Sequence, residues 1–256
     1  EMYNSDYKST NAYGKTYGEH RDALEFGLDE YLELQQYANE LGLIFFATPF
    51  DLPSVDFLEK LDVPLYKIAS ADIKSTPLLK YVSSTGKPII LSTGGSSMED
   101  VNRAYEVITD NNPNIAILQC TAAYPCEPKE MNLNVIKTYR HKFPDKVIGL
   151  SDHQSGIGMA LVAYTLGARI IEKHFTVNRA WKGTDHAFSL EPQGLTKLVR
   201  DLKRARVALG NEKKEMIDKE VKPLFKMGKK LVAADDLKQG KILSDDDITI
   251  KSPNDG

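Results

Sequence analysis

The chain has 256 residues, of which 41% are hydrophobic and 27% charged, and its formal net charge is -3 at pH 7. This is an ordinary globular composition with enough apolar residues for a sizeable core. Without a basic excess, and with apolar runs too short to cross a bilayer, it predicts neither a nucleic-acid partner nor a membrane span. No signal peptide is visible.

The cysteines indicate the redox environment. Cys120 and Cys126 are the only two in the sequence, and no CxxC motif is present. This pattern predicts free thiols in a reducing compartment. Together with the absent signal peptide, it predicts a cytoplasmic protein.

Short apolar runs recur along the chain at intervals of roughly 20 to 30 residues, the spacing of βα units. The runs occupy residues 43–48, 64–69, 88–93, 115–120, 147–151 and 169–174. The runs are short, rich in residues that favour strands and nearly continuously apolar, which is typical of buried parallel strands.

Helical patterns fill the intervals between these runs and flank them. They cover residues 28–41, 54–61, 77–84, 98–109, 134–139, 156–167 and 193–209. A capping-box pattern, Ser97 followed by Asp100, opens one helix, and Gly42 and Gly167 stand just past the ends of two others. Alternating strands and helices predict a parallel sheet.

Two α/β architectures fit this alternation, a doubly wound sheet and a TIM barrel. No Gly-x-Gly-x-x-Gly follows any predicted strand, which disfavours a dinucleotide-binding sheet. A TIM barrel needs eight strands, and six are predicted. Residues 1–27 are polar and read as a long βα loop. We therefore expect a TIM-type (β/α)8 barrel that lacks its first two strands in this chain.

A second segment follows the barrel. A charged linker is expected at about residues 211–222, and residues 230–251 contain short alternating strands around Gln239 and Gly240. This segment is too short for an independent core. We expect residues 1–222 to form the partial barrel and residues 223–256 to begin a small, truncated β-rich domain.

Two histidines stand at neighbouring strand ends, where barrel enzymes place their catalytic groups. His153 follows the fifth predicted strand, and His174 ends the sixth. Two imidazoles favour a divalent-metal site with positions left open for water and substrate. The alternative is a pair of histidines that make ordinary hydrogen bonds. Asp185 is either a third ligand or a partner for a substrate hydroxyl.

A lysine inside an apolar strand needs a partner. Lys67 is such a residue, and the hydroxyls of Ser70, Ser92 and Ser151 follow nearby strands, so an anionic ligand would fit among them. A structural ion pair with a barrel carboxylate is the alternative. Strand alternation turns Glu172 away from its neighbour Lys173, where it could act as a general base or support a metal ligand.

Several ordered motifs resemble the N-acetylneuraminate (sialic acid) synthase family over almost the whole chain. They are KIASAD (67–72), GKPIILSTG (86–94), CTAAYP (120–125), IGLSDH (148–153), EKHFT (172–176), WKGTDH (181–186) and SLEP (189–192). The segment after the barrel resembles the first half of the antifreeze-like (SAF) domain of that family.

The resemblance implies condensation of phosphoenolpyruvate with N-acetylmannosamine, its 6-phosphate or a related N-acyl hexosamine, giving a nonulosonic acid and phosphate. It implies a divalent metal, manganese first, with magnesium or cobalt as alternatives. It also implies a homodimer in which the SAF domain of one subunit covers the other's site. Residues 14–20 and 181–183 look like the animal branch, which uses the 6-phosphate.

Site residues are carried over by motif. His153 and His174 match the metal ligands, and Glu172 matches a carboxylate that handles the water or a proton. The groups around phosphoenolpyruvate match Thr48, Lys67, Ser70, Ser92 and Ser151, and those on the sugar side match Tyr124 and Asp185. Asp72 and Lys67 complete the expected catalytic set with Glu172. Asp72 stands where many bacterial members have glutamate, and Ala122 where many have asparagine.

Two other functions remain open from the sequence. A Schiff-base aldolase on the same barrel would use Lys67 or Lys173 as its nucleophile. A truncated, non-catalytic protein that binds phosphoenolpyruvate or a sugar is the other.

Overall fold

The computed structural model of the protein describes residues 2–254. The backbone groups into two compact units, one ending at Ala208 and the other beginning at Leu209. The predicted site residues all lie in the first unit.

A parallel sheet forms the centre of the first unit. In the described part of the chain it has five strands, hydrogen-bonded in the order in which they occur in the sequence. They are β1 (Tyr66–Ile68), β2 (Ile89–Ser92), β3 (Ile115–Cys120), β4 (Val147–Asp152) and β5 (Ile170–Lys173). Parallel neighbours require crossover connections, and helices supply them. This sequential order is that of consecutive strands in a TIM-type barrel.

Helices occupy the seven intervals that the sequence predicted, and one further short helix precedes them. They are α1 (Tyr17–Asp22), α2 (Leu28–Glu40), α3 (Leu52–Lys60), α4 (Thr76–Ser84), α5 (Met98–Thr109), α6 (Val135–Lys142), α7 (Gly158–Leu166) and α8 (Pro192–Ala208). The predicted capping box is present, because the Ser97 hydroxyl accepts a hydrogen bond from the Asp100 amide at 3.2 Å. Gly167 ends α7 with a positive φ of 110°, which a side chain would strain.

The apolar core lies between the sheet and the helices. Tyr66, Ile68, Leu91 and Ile117 are fully buried there on one face of the strands. The Tyr66 hydroxyl donates to Glu59 at 2.6 Å, so its polar end is satisfied. This packing holds the strands in fixed register.

The opposite face of the same strands carries polar side chains. The register aligns Cys120 with Ser151 and Ser151 with Glu172 across three neighbouring strands. Because side chains alternate along a strand, Lys67 points away from the core that Tyr66 and its neighbours form. A polar inner face next to an apolar outer face is what positions the site.

The prediction of a first strand at residues 43–48 is wrong. The segment belongs to no strand, and one backbone bond, from the Lys67 amide to the Ala47 carbonyl at 3.3 Å, joins it to β1. Leu43 and Ile44 are 59% and 68% exposed. An apolar pattern makes a strand only when a ladder forms, and a single bond is not a ladder. The main sheet therefore has five strands among the described residues, where six were predicted.

The expectation of a long loop before α2 is also partly wrong. Residues 6 and 16 form an isolated antiparallel bridge, and α1 follows directly. Thr16 and Glu19 cap α1 reciprocally through side-chain bonds to each other's backbone. The Thr-x-x-Glu pattern of a capping box is visible in the sequence and could have predicted this helix.

The second unit contains α9 (Asp218–Met227), β6 (Lys230–Ala233) and β7 (Ile248–Lys251). The alternating pattern predicted short strands here, and the two strands pair antiparallel. Helix α9 begins inside the expected charged linker. Its acidic first turn and basic last turn complement the helix dipole and so stabilise the helix. The sequence predicted only a charged linker in this region. The assignment of the second unit to an SAF domain stays a prediction, as does the domain boundary at residue 222.

No helix within residues 2–254 has the length and apolar character needed to span a membrane.

Candidate active site

The two histidines lie together at the carboxyl ends of β4 and β5. His153 directly follows β4 and His174 directly follows β5, and their ring centroids are 5.1 Å apart. The Tyr124 ring packs against both, 4.3 Å from His153 and 6.0 Å from His174. Phe188 covers His174 at 5.0 Å.

The Nδ1 atoms of both histidines contact oxygen atoms. His153 Nδ1 is 2.8 Å from the Thr121 carbonyl oxygen, which selects the tautomer with its proton on Nδ1. His174 Nδ1 is 3.5 Å from an Asp185 carboxylate oxygen. These contacts leave the Nε2 atoms available, the arrangement found when histidines bind metals. Asp185 therefore contacts the far side of the His174 ring from that Nε2.

The surroundings affect the pKa values of the two imidazoles differently. Burial lowers the pKa of His174, and the nearby Asp185 charge only partly opposes this. Burial also disfavours the charged form of His153, but its contacts with Cys120 and the Thr121 carbonyl outweigh burial and raise its pKa. The neutral form, which His174 favours, is the form that binds a metal.

A chain of polar contacts crosses the inner face beside the histidines. The Ser151 hydroxyl donates to Glu172 Oε1 at 2.6 Å, and Glu172 Oε2 is 3.5 Å from Lys67 Nζ. Lys67 Nζ also donates to the Ile68 carbonyl at 3.0 Å. The Lys67 side chain is only 9% exposed, whereas that of Glu172 is 38% exposed. Both interpretations of Lys67 survive, because it has a barrel carboxylate partner and also faces an open site.

Ser70 belongs to a tight corner after β1. Its hydroxyl accepts a hydrogen bond from the Gly94 amide at 2.8 Å and lies 3.4 Å from Cys120 Sγ. A Cβ on Gly94 would come within 2.9 Å of both the Ser70 and the Cys120 side chains. Both cysteines are free thiols, as predicted.

Two predicted site residues carry buried oxygens that lack a hydrogen-bond partner among the described residues. They are Ser92 Oγ and Asp72 Oδ2. Burial raises the pKa of Asp72. A buried oxygen without a partner is destabilising, and in native proteins such atoms are typically completed by water or a ligand. Both are therefore compatible with contacts to a substrate.

Thr48 is not brought to the histidines by any hydrogen bond between described residues. It lines a separate cavity of about 670 Å³ with Tyr17, Phe50 and residues of α3. Thr48 ends the segment 43–48, which is joined to β1 by one backbone hydrogen bond only.

A smaller cavity adjoins the histidine pair on the side of Asp185. It has a volume of about 330 Å³, and Tyr13, His174 and Lys182 are among its lining residues. The Tyr13 hydroxyl donates to the Lys182 carbonyl at 2.8 Å, and the Gly183 amide donates to Asn11 Oδ1 at 3.2 Å. Tyr13 and Lys182 were not among the predicted site residues. The only hint was position, because Tyr13 precedes residues 14–20 and Lys182 lies within residues 181–183, the two segments that look like the animal branch.

Lys173 lies outside this site. Its ammonium is on the opposite face of the sheet, 3.0 Å from a buried Asp152 carboxylate. This placement disfavours Lys173 as a Schiff-base nucleophile.

The donor set fits a catalytic metal better than a structural one. In residues 2–254, no three His, Cys, Asp or Glu side chains converge closely enough to hold an ion alone. Two imidazoles that bind an ion through Nε2 would leave the other coordination positions to water and substrate.

The fold and the site together define a class of protein. Sequential parallel strands with polar side chains at their carboxyl ends are the arrangement of TIM-type barrel enzymes. The DAHP synthase of Thermotoga maritima shares this fold, with a TM-score of 0.63 and 18% identity over 72% of this chain and 57% of that one.

Closer relatives identify the family. The model of the NeuB family matches residues 1–214. The N-acetylneuraminate-9-phosphate synthase of Homo sapiens is 42% identical over 245 residues, 96% of this chain and 68% of that protein. The N,N'-diacetyllegionaminic acid synthase of Campylobacter jejuni is 39% identical over 236 residues, 91% of this chain and 70% of that protein.

A solved structure agrees with these relatives. The N-acetylneuraminic acid (sialic acid) synthetase of Leptospira borgpetersenii, in complex with citrate, has a TM-score of 0.73 and 37% identity. The match covers 81% of this chain and 75% of that one. The chain belongs to the NeuB family, which confirms the resemblance found in its motifs.

Proposed function

We propose that this protein condenses phosphoenolpyruvate with an N-acylated hexosamine to form a nonulosonic acid and inorganic phosphate. The relatives named as N-acetylneuraminate-9-phosphate, legionaminic acid and pseudaminic acid synthases support this class of reaction. The observation that carries the proposal is the pairing of His153 and His174 beside the Lys67–Glu172–Ser151 chain, on one face of the sheet.

The inner face would bind the anionic substrate through its cation and hydroxyls. Lys67 is a buried ammonium whose carboxylate partner is partly open to solvent, so an incoming phosphate or carboxylate can share it. Ser92 Oγ has no hydrogen-bond partner in the described structure and can donate to the same anion. Ser70, already held by the Gly94 amide, lies at the neighbouring strand end.

The histidine pair would hold a divalent cation, for which manganese is the first candidate and magnesium and cobalt are alternatives. Bound there, the cation would polarise the aldehyde oxygen of the open-chain sugar. Tyr124 and Asp185, which contact the two rings, would face the sugar and keep its aldehyde carbon near the imidazoles.

The proposed reaction forms one carbon–carbon bond and breaks the bond between C2 and the phosphate oxygen. The C3 carbon of phosphoenolpyruvate bonds to the sugar aldehyde carbon, whose oxygen becomes a hydroxyl. Water then adds at C2, and the C2–O bond to phosphate breaks to release inorganic phosphate. Glu172 can take the proton from that water, because Ser151 fixes one carboxylate oxygen at 2.6 Å and Lys67 lies near the other.

The acceptor is proposed to be N-acetylmannosamine or its 6-phosphate. The 42% identity to a 9-phosphate synthase supports the phosphorylated sugar, and the 39% identity to a legionaminic acid synthase keeps diacetylated hexosamines in the test. A homodimer whose SAF domains cover the partner's site remains part of the proposal from the family resemblance.

Product analysis tests the proposal directly. The protein is incubated with phosphoenolpyruvate, manganese and each hexosamine, and phosphate release and product mass are measured. We expect one nonulosonic acid per phosphate released, and loss of both in His174→Ala. The exposed His141→Ala in α6 is the matched control and should retain activity. Absence of phosphate release with every sugar would contradict the proposal.

A further inference from the structure

A buried ion pair lies behind the two histidines, on the helix-facing side of the sheet. Lys173 Nζ is 3.0 Å from Asp152 Oδ2, and the two side chains are 5% and 0% exposed. Desolvating both charges is expensive, and the attraction between buried partners often does no more than offset that penalty. Stability alone is therefore a poor explanation for this pair.

The position of the pair suggests what it does. Asp152 and Lys173 are register partners and form the last rung of the ladder between β4 and β5. His153 and His174 are the next residue on each strand. Beyond the rung, the His153 carbonyl accepts from the Cys126 amide and the His174 carbonyl from the Leu190 amide. Different loops thus hold the two histidine backbones, and the ladder no longer sets their separation.

Gln154 extends the pair to the far side of His153. Lys173 Nζ donates to the Gln154 carbonyl at 2.5 Å, and the Gln154 amide donates to Asp152 Oδ1 at 2.8 Å. Lys173 therefore contacts the residue before His153 and the residue after it. Since Lys173 itself precedes His174, one buried network ties the backbones of both histidines together.

We propose that Asp152 and Lys173 are positioning residues, which hold His153 and His174 at the separation that a shared divalent cation requires. The proposal rests on the proposed metal site. Asp152 and Lys173 lie away from the inner face, because their side chains occupy the opposite side of the strands. Outer contacts that orient ligating histidines typically affect metal affinity 10–100-fold.

A double variant separates positioning from stability. Removing one partner leaves an unpaired buried charge and can unfold the protein, whereas replacing both by apolar residues of similar volume is often neutral or stabilising. Asp152→Leu with Lys173→Met should therefore fold, which thermal unfolding verifies. The matched control is Arg200→Met with Asp201→Leu, which removes an ion pair on α8 with N–O distance 2.7 Å.

Calorimetric titration with Mn²⁺ measures the effect. We expect the double variant to bind Mn²⁺ about 10–100-fold more weakly than the wild type, and the α8 control to bind it unchanged. Lys173→Arg keeps the positive side-chain charge, so this variant should bind Mn²⁺ with most of the wild-type affinity. A folded double variant with wild-type Mn²⁺ affinity would overturn the positioning role.

A second readout does not depend on the metal. In a crystal structure of the double variant, the distance between the two histidine ring centroids should differ by about 1 Å from the 5.1 Å of the wild type. A shift of this size is large enough to impair catalysis. If the wild type binds no divalent cation, the proposed metal site is wrong. The crystal structure then decides the positioning role by itself, and an unchanged separation overturns it.

Discussion

Replacing Lys67 by methionine tests the anion-binding role of the inner face. Lys67 Nζ lies 3.5 Å from Glu172 Oε2 and donates to the Ile68 carbonyl at 3.0 Å. Methionine keeps an unbranched apolar stem of similar length, so the packing around β1 is retained. Glu172 loses its cation, but its side chain is 38% exposed and keeps water as a partner.

The size of the effect follows from these contacts. A hydrogen bond from an ammonium to an anionic ligand contributes about 1.5–3 kcal/mol. At about 1.36 kcal/mol per factor of ten, loss of that bond weakens phosphoenolpyruvate binding by roughly 10- to 150-fold. Stability should change by about 1 kcal/mol or less, because the abandoned carboxylate remains hydrated.

Calorimetry with phosphoenolpyruvate measures the change, and urea unfolding measures stability in parallel. Lys80→Met, which removes an exposed lysine of α4, is the matched control and should bind as the wild type does. Unchanged affinity in folded Lys67→Met would refute the anion-binding role and favour a purely structural ion pair. A borohydride-trapped adduct with pyruvate on wild-type Lys67 would instead favour the Schiff-base aldolase.

Three further substitutions test other parts of the molecule. Gly94→Ala should lower kcat/KM at least about tenfold, because a Cβ there would meet two site side chains at 2.9 Å and displace them; unchanged kinetics would contradict this packing. Tyr13→Phe removes the hydroxyl that holds the Lys182 carbonyl at 2.8 Å, so KM should rise for the sugar and not for phosphoenolpyruvate, and an equal rise in both would count against a sugar-side cavity. The hydrogen bond from the Ser97 amide, with an ion pair, lowers the pKa of Asp100 from 3.8 to about 2. Because the folded pKa is depressed, this carboxylate stabilises the fold above pH 4 and the contribution disappears as pH falls towards 2. Urea unfolding of Asp100→Asn should therefore show lower stability than wild type at pH 7 and convergence near pH 2, and a gap that persists at pH 2 would contradict the assignment.

Periodicity predicted much of this fold, because it reports burial directly. Continuous apolar runs indicate strands that are buried along their length, and β3 is buried at every position while the sheet packs against the helices around one apolar core. Residues 43–48 have the same pattern but form no ladder, since pattern reports burial tendency and not the presence of a hydrogen-bonding neighbour. The short helix at Tyr17–Asp22 was missed because its capping box precedes no apolar run.

The sequence likewise predicted some parts of the candidate site and not others. Strand ends and alternation placed His153, His174 and Glu172 on one face without knowledge of the register. The Asp152–Lys173 pair depends on which residues share a rung, and one sequence does not determine that. Tyr13 reaches the site through a hydrogen bond to a residue 169 positions away, and no local pattern encodes such a contact.

Solvent access decides which of the two strand lysines can take part in chemistry. Both have a carboxylate partner on another strand, at 3.5 Å for Lys67 and 3.0 Å for Lys173. The partner of Lys67 is 38% exposed, so an anionic substrate can enter and share the ammonium without leaving a charge in an apolar environment. The partner of Lys173 is fully buried. If an anionic ligand took the place of Asp152 beside Lys173, the Asp152 carboxylate would be left buried with neither water nor a cation as partner. We therefore propose that the open pair binds the anionic ligand and that the closed pair maintains the geometry of the sheet.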